Sequence, residues 1–276
     1  MRLPPLLIFL ALASCAAPEG TEPPGAALLT EEAFFDGFEG PAPDAARWEA
    51  VRSQWGRGNG GVVPENVSLR DGLLQLEVHG DRYRGPVQGL FRQDGVLAAL
   101  DHGRRVGAVL ITKRAFSSGR FEVRMKVAPV LGACSALWTY LDAGPDSGDL
   151  NQEIDIELPG RPSDPVREVG FRHAICSAWR TLDCHTSEFV RLDCPQDDGE
   201  FHLYRFDWHP GGSGRQGRVD FFIDGKPVCS SHTAAPDLPC RFQVGVWCPE
   251  AWAGMPEFDV SRMEVDWVRI TPWRDP

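Results

Sequence analysis

Near its middle the chain reads Glu153-Ile-Asp-Ile-Glu157, a run in which acidic and β-branched apolar residues alternate. This alternation predicts a β-strand with one polar face and one face buried in a core. On such a strand Glu153, Asp155 and Glu157 point the same way. Like charges in a row repel each other, so the arrangement costs stability and indicates a function.

The spacing of the two glutamates indicates the chemistry. Four residues of strand cover roughly 13 Å, and if each side chain leans about 4 Å toward the other, the carboxyl oxygens end roughly 5 Å apart. This separation is typical of glycosidases that retain the anomeric configuration. The alternative is a solvated edge strand whose acidic residues only keep the protein soluble.

Short strand signals recur along the chain with turn residues between them. The predicted strands are 73–78, 121–127, 203–208, 218–223 and 263–270. Asp224-Gly225 predicts a hairpin turn, and 44–48 and 249–253 read as single helical turns without any long helical periodicity. Many short strands with Gly and Pro punctuation predict an all-β sandwich or jelly roll.

The composition is that of one ordinary globular domain, with 276 residues, 42% of them hydrophobic and 24% charged. The net charge of −11 repels phosphate backbones and argues against a nucleic-acid partner. A neutral polysaccharide is compatible with this charge, and nine Trp and 15 Phe supply flat rings for stacking on sugars. We expect a monomer.

The N-terminus reads as a targeting segment. Met1-Arg2 is followed by the apolar run 6–13, which is too short for a bilayer span of ~20 residues. The sequence Leu12-Ala-Ser-Cys15 resembles the bacterial lipoprotein signal. That resemblance implies a signal peptide at 1–14, a lipidated Cys15 and flexible tether at 15–31, and a domain at 32–276. The protein is then exported and held in a bacterial cell envelope; the alternative is an ordinary secretory signal and an extracellular protein.

Seven further cysteines lie in the predicted domain, and export favours disulfides among them. Cys229 and Cys240 bracket one short loop, and Cys184 and Cys194 bracket another, so each pair is a candidate disulfide. Because seven is odd, at least one thiol is free or pairs outside the chain.

Several blocks, in order, carry a resemblance to a known family over about residues 34–273. They are Ser118-Gly-Arg-Phe-Glu-Val-Arg-Met-Lys126, Ser135-Ala-Leu-Trp-Thr-Tyr140, Glu153-Ile-Asp-Ile-Glu157, Phe201-His-Leu-Tyr-Arg-Phe-Asp-Trp208, Phe222-Ile-Asp-Gly225 and Val265-Asp-Trp-Val-Arg269. Together they resemble glycoside hydrolase family 16, the β-glucanase and transglycosylase group. The resemblance implies a β-jelly-roll sandwich of two antiparallel sheets with a concave substrate cleft.

The resemblance implies Glu153 as nucleophile and Glu157 as general acid/base. Asp155 lies between them, where its charge would raise the pKa of the acid; alternatively, it hydrogen-bonds the nucleophile and orients it. One residue separates Asp155 from Glu157. Other branches of the family insert an extra residue there and form a β-bulge. The regular form resembles the mixed-linkage and xyloglucan-active enzymes and favours β-1,3-1,4 or β-1,4 glucans.

The resemblance also implies a set of sugar-binding residues. They are Glu122, Arg124, Trp138, Tyr140, Trp247, Trp252 and Asn59. Taken without the resemblance, Glu122 and Arg124 are a cross-strand ion pair, and the aromatic residues belong to a core.

The chain also departs from the mixed-linkage glucanases. Where they carry Trp two residues before the nucleophile, this chain has Asn151, and Gly245 stands where they have Asn. On the strand after the catalytic one, Arg172 and Ala174 replace Asn and Tyr. The hydrolytic centre is intact while its sugar subsites are rebuilt.

We expect no cofactor for catalysis. The family resemblance implies a structural Ca²⁺ with Asp266 as a ligand; alternatively Asp266 only bonds backbone at the strand edge. The leading hypothesis is a retaining endo-β-glycanase. The alternatives are a transglycosylase, with Trp252 as a candidate acceptor-site aromatic, and a non-catalytic glycan-binding envelope protein, which would not need both glutamates.

Overall fold

A computed structural model of the chain describes residues 33–55, 58–93, 96–99, 102–141, 148–160, 171–211 and 216–273. The predicted signal peptide and tether, with Cys15, lie outside the described residues. Within that part of the chain, no helix has the length and apolar character needed to cross a membrane.

Seventeen strands, one 3₁₀ turn (Pro64–Asn66) and one helical turn, α1 (Glu250–Ala253), make up the described structure. The strands are Phe34–Asp36 (β1), Trp48–Ala50 (β2), Val67–Arg70 (β3), Leu73–His79 (β4), Leu90–Gln93 (β5), Val96–Ala99 (β6), Ala108–Phe116 (β7), Gly119–Lys126 (β8), Cys134–Tyr140 (β9), Leu150–Pro159 (β10), His173–Thr181 (β11), His185–Arg191 (β12), His202–His209 (β13), Arg218–Ile223 (β14), Lys226–Ser231 (β15), Cys240–Trp247 (β16) and Val260–Thr271 (β17).

The strands form two antiparallel sheets that pack face to face, as the sequence predicts. The front sheet has the order β12-β11-β10-β9-β16-β7-β2. The back sheet has the order β15-β14-β13-β8-β17-β4-β3, with β1 paired to β17, and β5 and β6 form a separate hairpin. Strand β10 is paired on both sides, so the solvated edge-strand alternative for its acidic run is wrong.

Local chemistry explains the tightest turns. Asp224 and Gly225 have φ of 50° and 74° between β14 and β15, and Asp71 and Gly72 have 56° and 73° between β3 and β4. Positive φ at both central residues suits the right-handed twist of paired strands, and Asp-Gly adopts it at low steric cost. The turn at Asp224-Gly225 follows its sequence prediction. Both predicted helical turns form: the second is α1, and in the first the Trp48 N–H donates to the Asp44 carbonyl at 2.8 Å.

The core lies between the two sheets and contains a stack of aromatic rings. Phe121 of β8 contacts Phe206 on its own sheet, with ring centroids 4.7 Å apart. It also reaches across to Phe116 and Phe242 of the front sheet, at 5.7 and 5.9 Å. The two sheets are therefore held together through Phe121, which is fully buried.

Neither predicted disulfide is present among the described residues. The Cys240 thiol contacts the carbonyl oxygen of Gln152 at 3.5 Å, and the Cys184 thiol contacts that of Thr233 at 3.5 Å. The thiol of Cys176 on β11 instead hydrogen-bonds that of Cys229 on β15. Proximity across the two sheets, not along a loop, brings these thiols together.

Replacing Phe121 by Ala should lower the free energy of unfolding by about 3–5 kcal/mol, since a fully buried ring is lost and a cavity remains. Urea unfolding followed by tryptophan fluorescence measures this change. The matched control is Phe35→Ala, whose ring is 48% exposed and should cost less than ~1 kcal/mol. Equal losses in both variants would contradict this account of the core.

Candidate active site

Strand β10 carries the acidic run on the front face, the face of the front sheet turned away from the core. Ile154 and Ile156 point the other way and are fully buried between the sheets. From Glu153 to Glu157 the pairing is unbroken against both β9 and β11, and the one irregularity with β11 lies between Leu150 and Glu153. The predicted regular strand, without a bulge between Asp155 and Glu157, is therefore confirmed.

Side chains of neighbouring strands form rows across the front face with the three acidic residues. Antiparallel residues directly opposite each other share a face. The rows are Trp179–Glu153–Tyr140–Arg241, Ser177–Asp155–Trp138–Gln243 and Ile175–Glu157–Ala136–Gly245.

Glu157 lies half-buried between an indole and a thiol. The Trp252 Nε1–H donates to Glu157 Oε1 at 3.1 Å, and the Cys134 thiol donates to the same oxygen at 3.8 Å. Burial, followed by the charge of Glu153, raises the pKa of Glu157 to about 7, although both hydrogen bonds act to lower it. Glu157 therefore holds a proton up to neutral pH.

Glu153 and Asp155 each have a hydrogen bond to a different neighbouring side chain. The Asn151 Nδ2–H donates to Glu153 Oε2 at 3.1 Å, and the Trp179 indole hydrogen-bonds Asp155. Burial, then the charges of Glu153 and Glu157, raise the pKa of Asp155 well above its ordinary value. Burial also raises the pKa of Glu153, but the hydrogen bonds from Asn151 and Asp155 oppose that rise. In the hydrogen bond between the two carboxyls these shifts favour Asp155 as the donor and Glu153 as the acceptor.

Four tryptophans cover the front face beside Glu157, and we call them the tryptophan cluster: Trp55, Trp138, Trp247 and Trp252. The ring of Trp247 lies 6.0 Å from Trp55, 5.7 Å from Trp138 and 6.4 Å from Trp252, between centroids. The structure thus brings the predicted Trp138, Trp247 and Trp252 together, with half-buried Tyr140 packed against them. Trp138 and Trp247 are each only 7% exposed, so little of either ring is open to a ligand.

The strand next to β16 supplies front-face residues that the sequence reasoning missed. Val109 and Ile111 of β7 lie opposite Gly245 and Gln243. A Cβ at Gly245 would come within 2.4 Å of Val109 Cγ2, so the Asn of the mixed-linkage glucanases has no room here. The signal was the continuous apolar run 108–111, which is typical of a strand covered on both faces.

The predicted cleft position of Glu122 and Arg124 is wrong. Both lie on β8 of the back sheet and point away from the core, on the opposite side of the molecule from Glu153. Arg124 pairs with Asp266, and Glu122 lies 3.9 Å from Arg269. Burial raises the pKa of Glu122. The alternation of polar and apolar residues predicts correctly which side chains of β8 face the core. It does not predict which sheet β8 joins, because that depends on strands distant in the sequence.

The contacts of Asp266 do not support the predicted calcium site. The carboxylate of Asp266 is engaged by Arg124, and a guanidinium beside it does not suit a cation. Across the described ranges, no group of three or more His, Cys, Asp or Glu is arranged to hold a metal. Calcium stays a prediction.

Three other residues lie differently from their predicted cleft positions. Arg172 precedes β11 and donates to the Asp193 carbonyl at 2.7 Å, and Ala174 is fully buried in the core. The front-face positions of β11 are the odd-numbered ones, one residue away. Asn59 is 5% exposed; its amide donates to Trp55 O at 3.1 Å and accepts from the Gly61 N–H at 2.8 Å. These bonds explain Asn59 as a residue that shapes its loop.

An antiparallel β-sandwich with a carboxyl-lined, tryptophan-covered face is the architecture of a carbohydrate-active enzyme. The model of the family "Glycosyl hydrolases family 16" matches residues 76–269. The chain belongs to this family of glycoside hydrolases.

Individual proteins agree with this assignment. A beta-glucanase from Acetivibrio thermocellus is 30% identical over 139 residues, covering 49% of this chain and 36% of that relative. The chain thus spans little more than a third of its length. A beta-glucanase from Brevibacillus brevis is 27% identical over 251 residues, covering 87% of this chain and 82% of that relative. The fold matches a prokaryotic beta-1,3-1,4-glucanase (lichenase) from a mouse hindgut metagenome, with a TM-score of 0.65, 23% identity, and 87% and 99% of the two chains covered.

Replacing Glu157 by Gln should stabilise the protein at high pH. Between pH 4.5 and about 7 the unfolded chain has released this proton and the folded protein still holds it. Folded stability therefore falls as pH rises through that window. The variant should be more stable than the wild type by roughly 1–3 kcal/mol at pH 9, with the difference vanishing near pH 4.

Urea unfolding at both pH values measures this difference. The matched control is Glu257→Gln, which neutralises an exposed glutamate and should leave the pH dependence as in the wild type. A gain for Glu157→Gln of the same size at both pH values would show that the buried charge is not its cause.

Proposed function

We propose that the protein is an endo-β-glycanase that hydrolyses a β-glucan with retention of configuration, using Glu153 as nucleophile and Glu157 as general acid/base. The observation that carries this proposal is the pairing of a carboxyl whose pKa is raised to about 7 with a second carboxyl on the same face of one regular strand. Two such groups roughly 5 Å apart suit a double displacement.

In the first step the Glu153 carboxylate attacks the anomeric carbon, and the Glu157 carboxyl gives its proton to the leaving glycosidic oxygen. The bond between the sugar and the leaving group breaks as the glycosyl–Glu153 ester forms. In the second step ionised Glu157 takes a proton from water, whose oxygen attacks the same carbon and releases Glu153. Glu153 attacks one face of the anomeric carbon and water attacks the other. The two inversions together retain the configuration.

Asp155 is proposed to orient the nucleophile. A protonated Asp155 that donates to Glu153 fixes one carboxylate oxygen and leaves the other for attack. It also stabilises Glu153 as a leaving group in the second step, when negative charge returns to that carboxylate. The Trp179 indole holds Asp155 in turn.

The substrate proposed is a glucan cleaved at a β-1,4 bond, including mixed β-1,3-1,4 chains. The regular strand between Asp155 and Glu157 supports it, as do the two relatives described as beta-glucanases. The partly buried Ile111 and the absent side chain at Gly245 change the contacts offered to the sugar. Recognition then depends more on the shape of the front face than on side-chain hydrogen bonds.

Release of reducing ends from a glycan panel tests the activity. The panel contains barley β-glucan, lichenan, laminarin, xyloglucan, agarose and carrageenan. We expect turnover of barley β-glucan and lichenan, with kcat lowered roughly 10⁴-fold or more in Glu153→Gln. Longer products formed when acceptor oligosaccharides are added would identify a transglycosylase instead. Binding without turnover in the wild type would support a glycan-binding protein.

Azide distinguishes the two glutamates within the same assay. With an activated aryl β-glycoside, Glu153→Ala should give an α-glycosyl azide, because azide enters on the face that the nucleophile vacates. Glu157→Ala should give a β-glycosyl azide, because azide replaces water on the covalent intermediate. Exchanged products would reverse the proposed roles.

We also propose that Cys15 is lipidated and holds the enzyme on a bacterial envelope, on the strength of the Leu12-Ala-Ser-Cys15 motif. Two or more acyl chains on one residue give stable anchoring. Expressed in a bacterium with its full sequence, the protein should fractionate with membranes. Cys15→Ser should move it to the soluble fraction or block its processing, while the control Ser14→Ala leaves it with membranes. Cys15→Ser protein that is cleaved to the mature size and still fractionates with membranes would refute the anchor.

A further inference from the structure

The helical turn α1 places an essential hydrogen-bond donor but is too short to be stable alone. It spans Glu250–Ala253, and an isolated helix of so few residues does not persist in water. Trp252 of this turn donates to Glu157 at 3.1 Å. The position of the indole therefore depends on what holds α1 against the sandwich.

Arg105 supplies the ion pair that holds the start of α1. Its side chain is 5% exposed, and its Nη1 donates to Glu250 Oε2 at 2.6 Å. The same guanidinium binds both carboxylate oxygens of Asp81, at 2.7 and 3.0 Å, and the Gly58 carbonyl at 2.9 Å. One buried cation thus joins three segments: the loop after β4, the loop that carries Asn59, and α1.

This arrangement is rigid because of the guanidinium itself. A planar fork that engages one carboxylate with two parallel bonds has a fixed orientation. Its remaining donors then fix the directions of Glu250 and Gly58. The hydrogen bonds that Arg105 donates to Asp81 and Glu250 raise its pKa further, so its charge is constant over the working pH range.

We propose that Arg105 is a positioning residue for Glu157: through Glu250 it fixes α1, and so keeps the Trp252 indole N–H on the Glu157 carboxyl. Arg105 touches neither Glu157 nor the reacting atoms. The proposal rests on the role of Glu157 given above, and it adds a residue that no sequence motif indicated.

The consequence is a defined pH dependence. The titratable groups that face Glu157 are Cys134 on β9, and Glu153 and Asp155 on its own strand; α1 contributes the Trp252 N–H. A donor bonded to a carboxylate favours the ionised form, so the Trp252 bond lowers the pKa of Glu157. If α1 loosens, this pKa should rise and the alkaline limb of kcat/KM should move upward.

The test compares three variants. Trp252→Phe removes the N–H and keeps most of the ring. Glu250→Ala removes the link to Arg105 and leaves the Arg105–Asp81 pair intact. Arg105→Lys keeps the charge without the fork. The control Glu49→Ala breaks an ion pair of similar length, 2.7 Å to Arg241, that does not involve α1.

The primary readout is the titration of the Glu157 carboxyl by NMR in protein with ¹³C-labelled glutamate, with its signal assigned from Glu157→Gln. We expect an upward shift of about half to one pH unit in Trp252→Phe and Glu250→Ala. Arg105→Lys should give a smaller shift and Glu49→Ala none. The double variant Glu250→Ala/Trp252→Phe should shift no further than Trp252→Phe alone, because both act through the same bond.

Two results would overturn the proposal. One is a Glu250→Ala protein that is folded by circular dichroism and less stable, but titrates as the wild type does. The other is an additive shift in the double variant. Since this titration needs no substrate, it separates the proposal from the proposed activity: an enzyme inactive on every glycan can still show the linked shifts, and an active one can lack them.

Discussion

Three carboxyl groups on one face of one strand set the conditions for the rest of this molecule. In surroundings of low polarity, closely spaced like charges cannot all be ionised, so protons stay bound at pH values where free carboxyls have lost them. The pKa of Asp155 is raised most because it lies between the other two and is the most buried. Each neighbouring hydrogen-bond donor favours the ionised form of the carboxyl that accepts from it.

The strand cannot relieve this repulsion by moving. Strand β10 is paired along both edges, with β9 and β11, and its opposite face buries Ile154 and Ile156 in the core. A shift of one residue would put the acidic side chains into that core, because side chains alternate with a period of two. The packing between the sheets, with Phe121 near its centre, therefore stabilises an arrangement that is locally unfavourable.

The sequence predicts well whatever depends on near neighbours. The faces of β8 and β10, the Asp-Gly turns and the helical turn at 249–253 follow from alternation and turn chemistry. It predicts poorly whatever depends on which strands meet. Alternation predicts the outward face of Glu122 correctly, but the sheet that β8 joins depends on strands distant in the sequence. Cys229 was paired with Cys240 across a loop, whereas its thiol neighbour is Cys176, on the other sheet.

The same limit explains why Arg105 and Val109 escaped notice. Arg105 stands in a polar stretch that reads as an ordinary solvated loop, and its partners Asp81 and Glu250 are remote in the chain. Val109 reads as a core residue, since apolar runs do not reveal that one of their two covered faces is a cleft. Only the pairing of β7 with β16 shows that Val109 fills the space beside Gly245.

Spacing alone left the two glutamates interchangeable, and their environments differ. Glu153 has hydrogen bonds to Asn151 and Asp155 that lower its pKa, so its anion is supported by groups on its own strand. Glu157 is bonded by an indole on a remote helical turn and by a weakly donating thiol. The carboxyl with the stronger local donors is the one suited to attack as an anion. The pKa of Glu157, the carboxyl whose support comes from α1, is raised to about 7. With Arg105 in the positioning role proposed above, release of this proton depends on a segment outside the strand that carries Glu153.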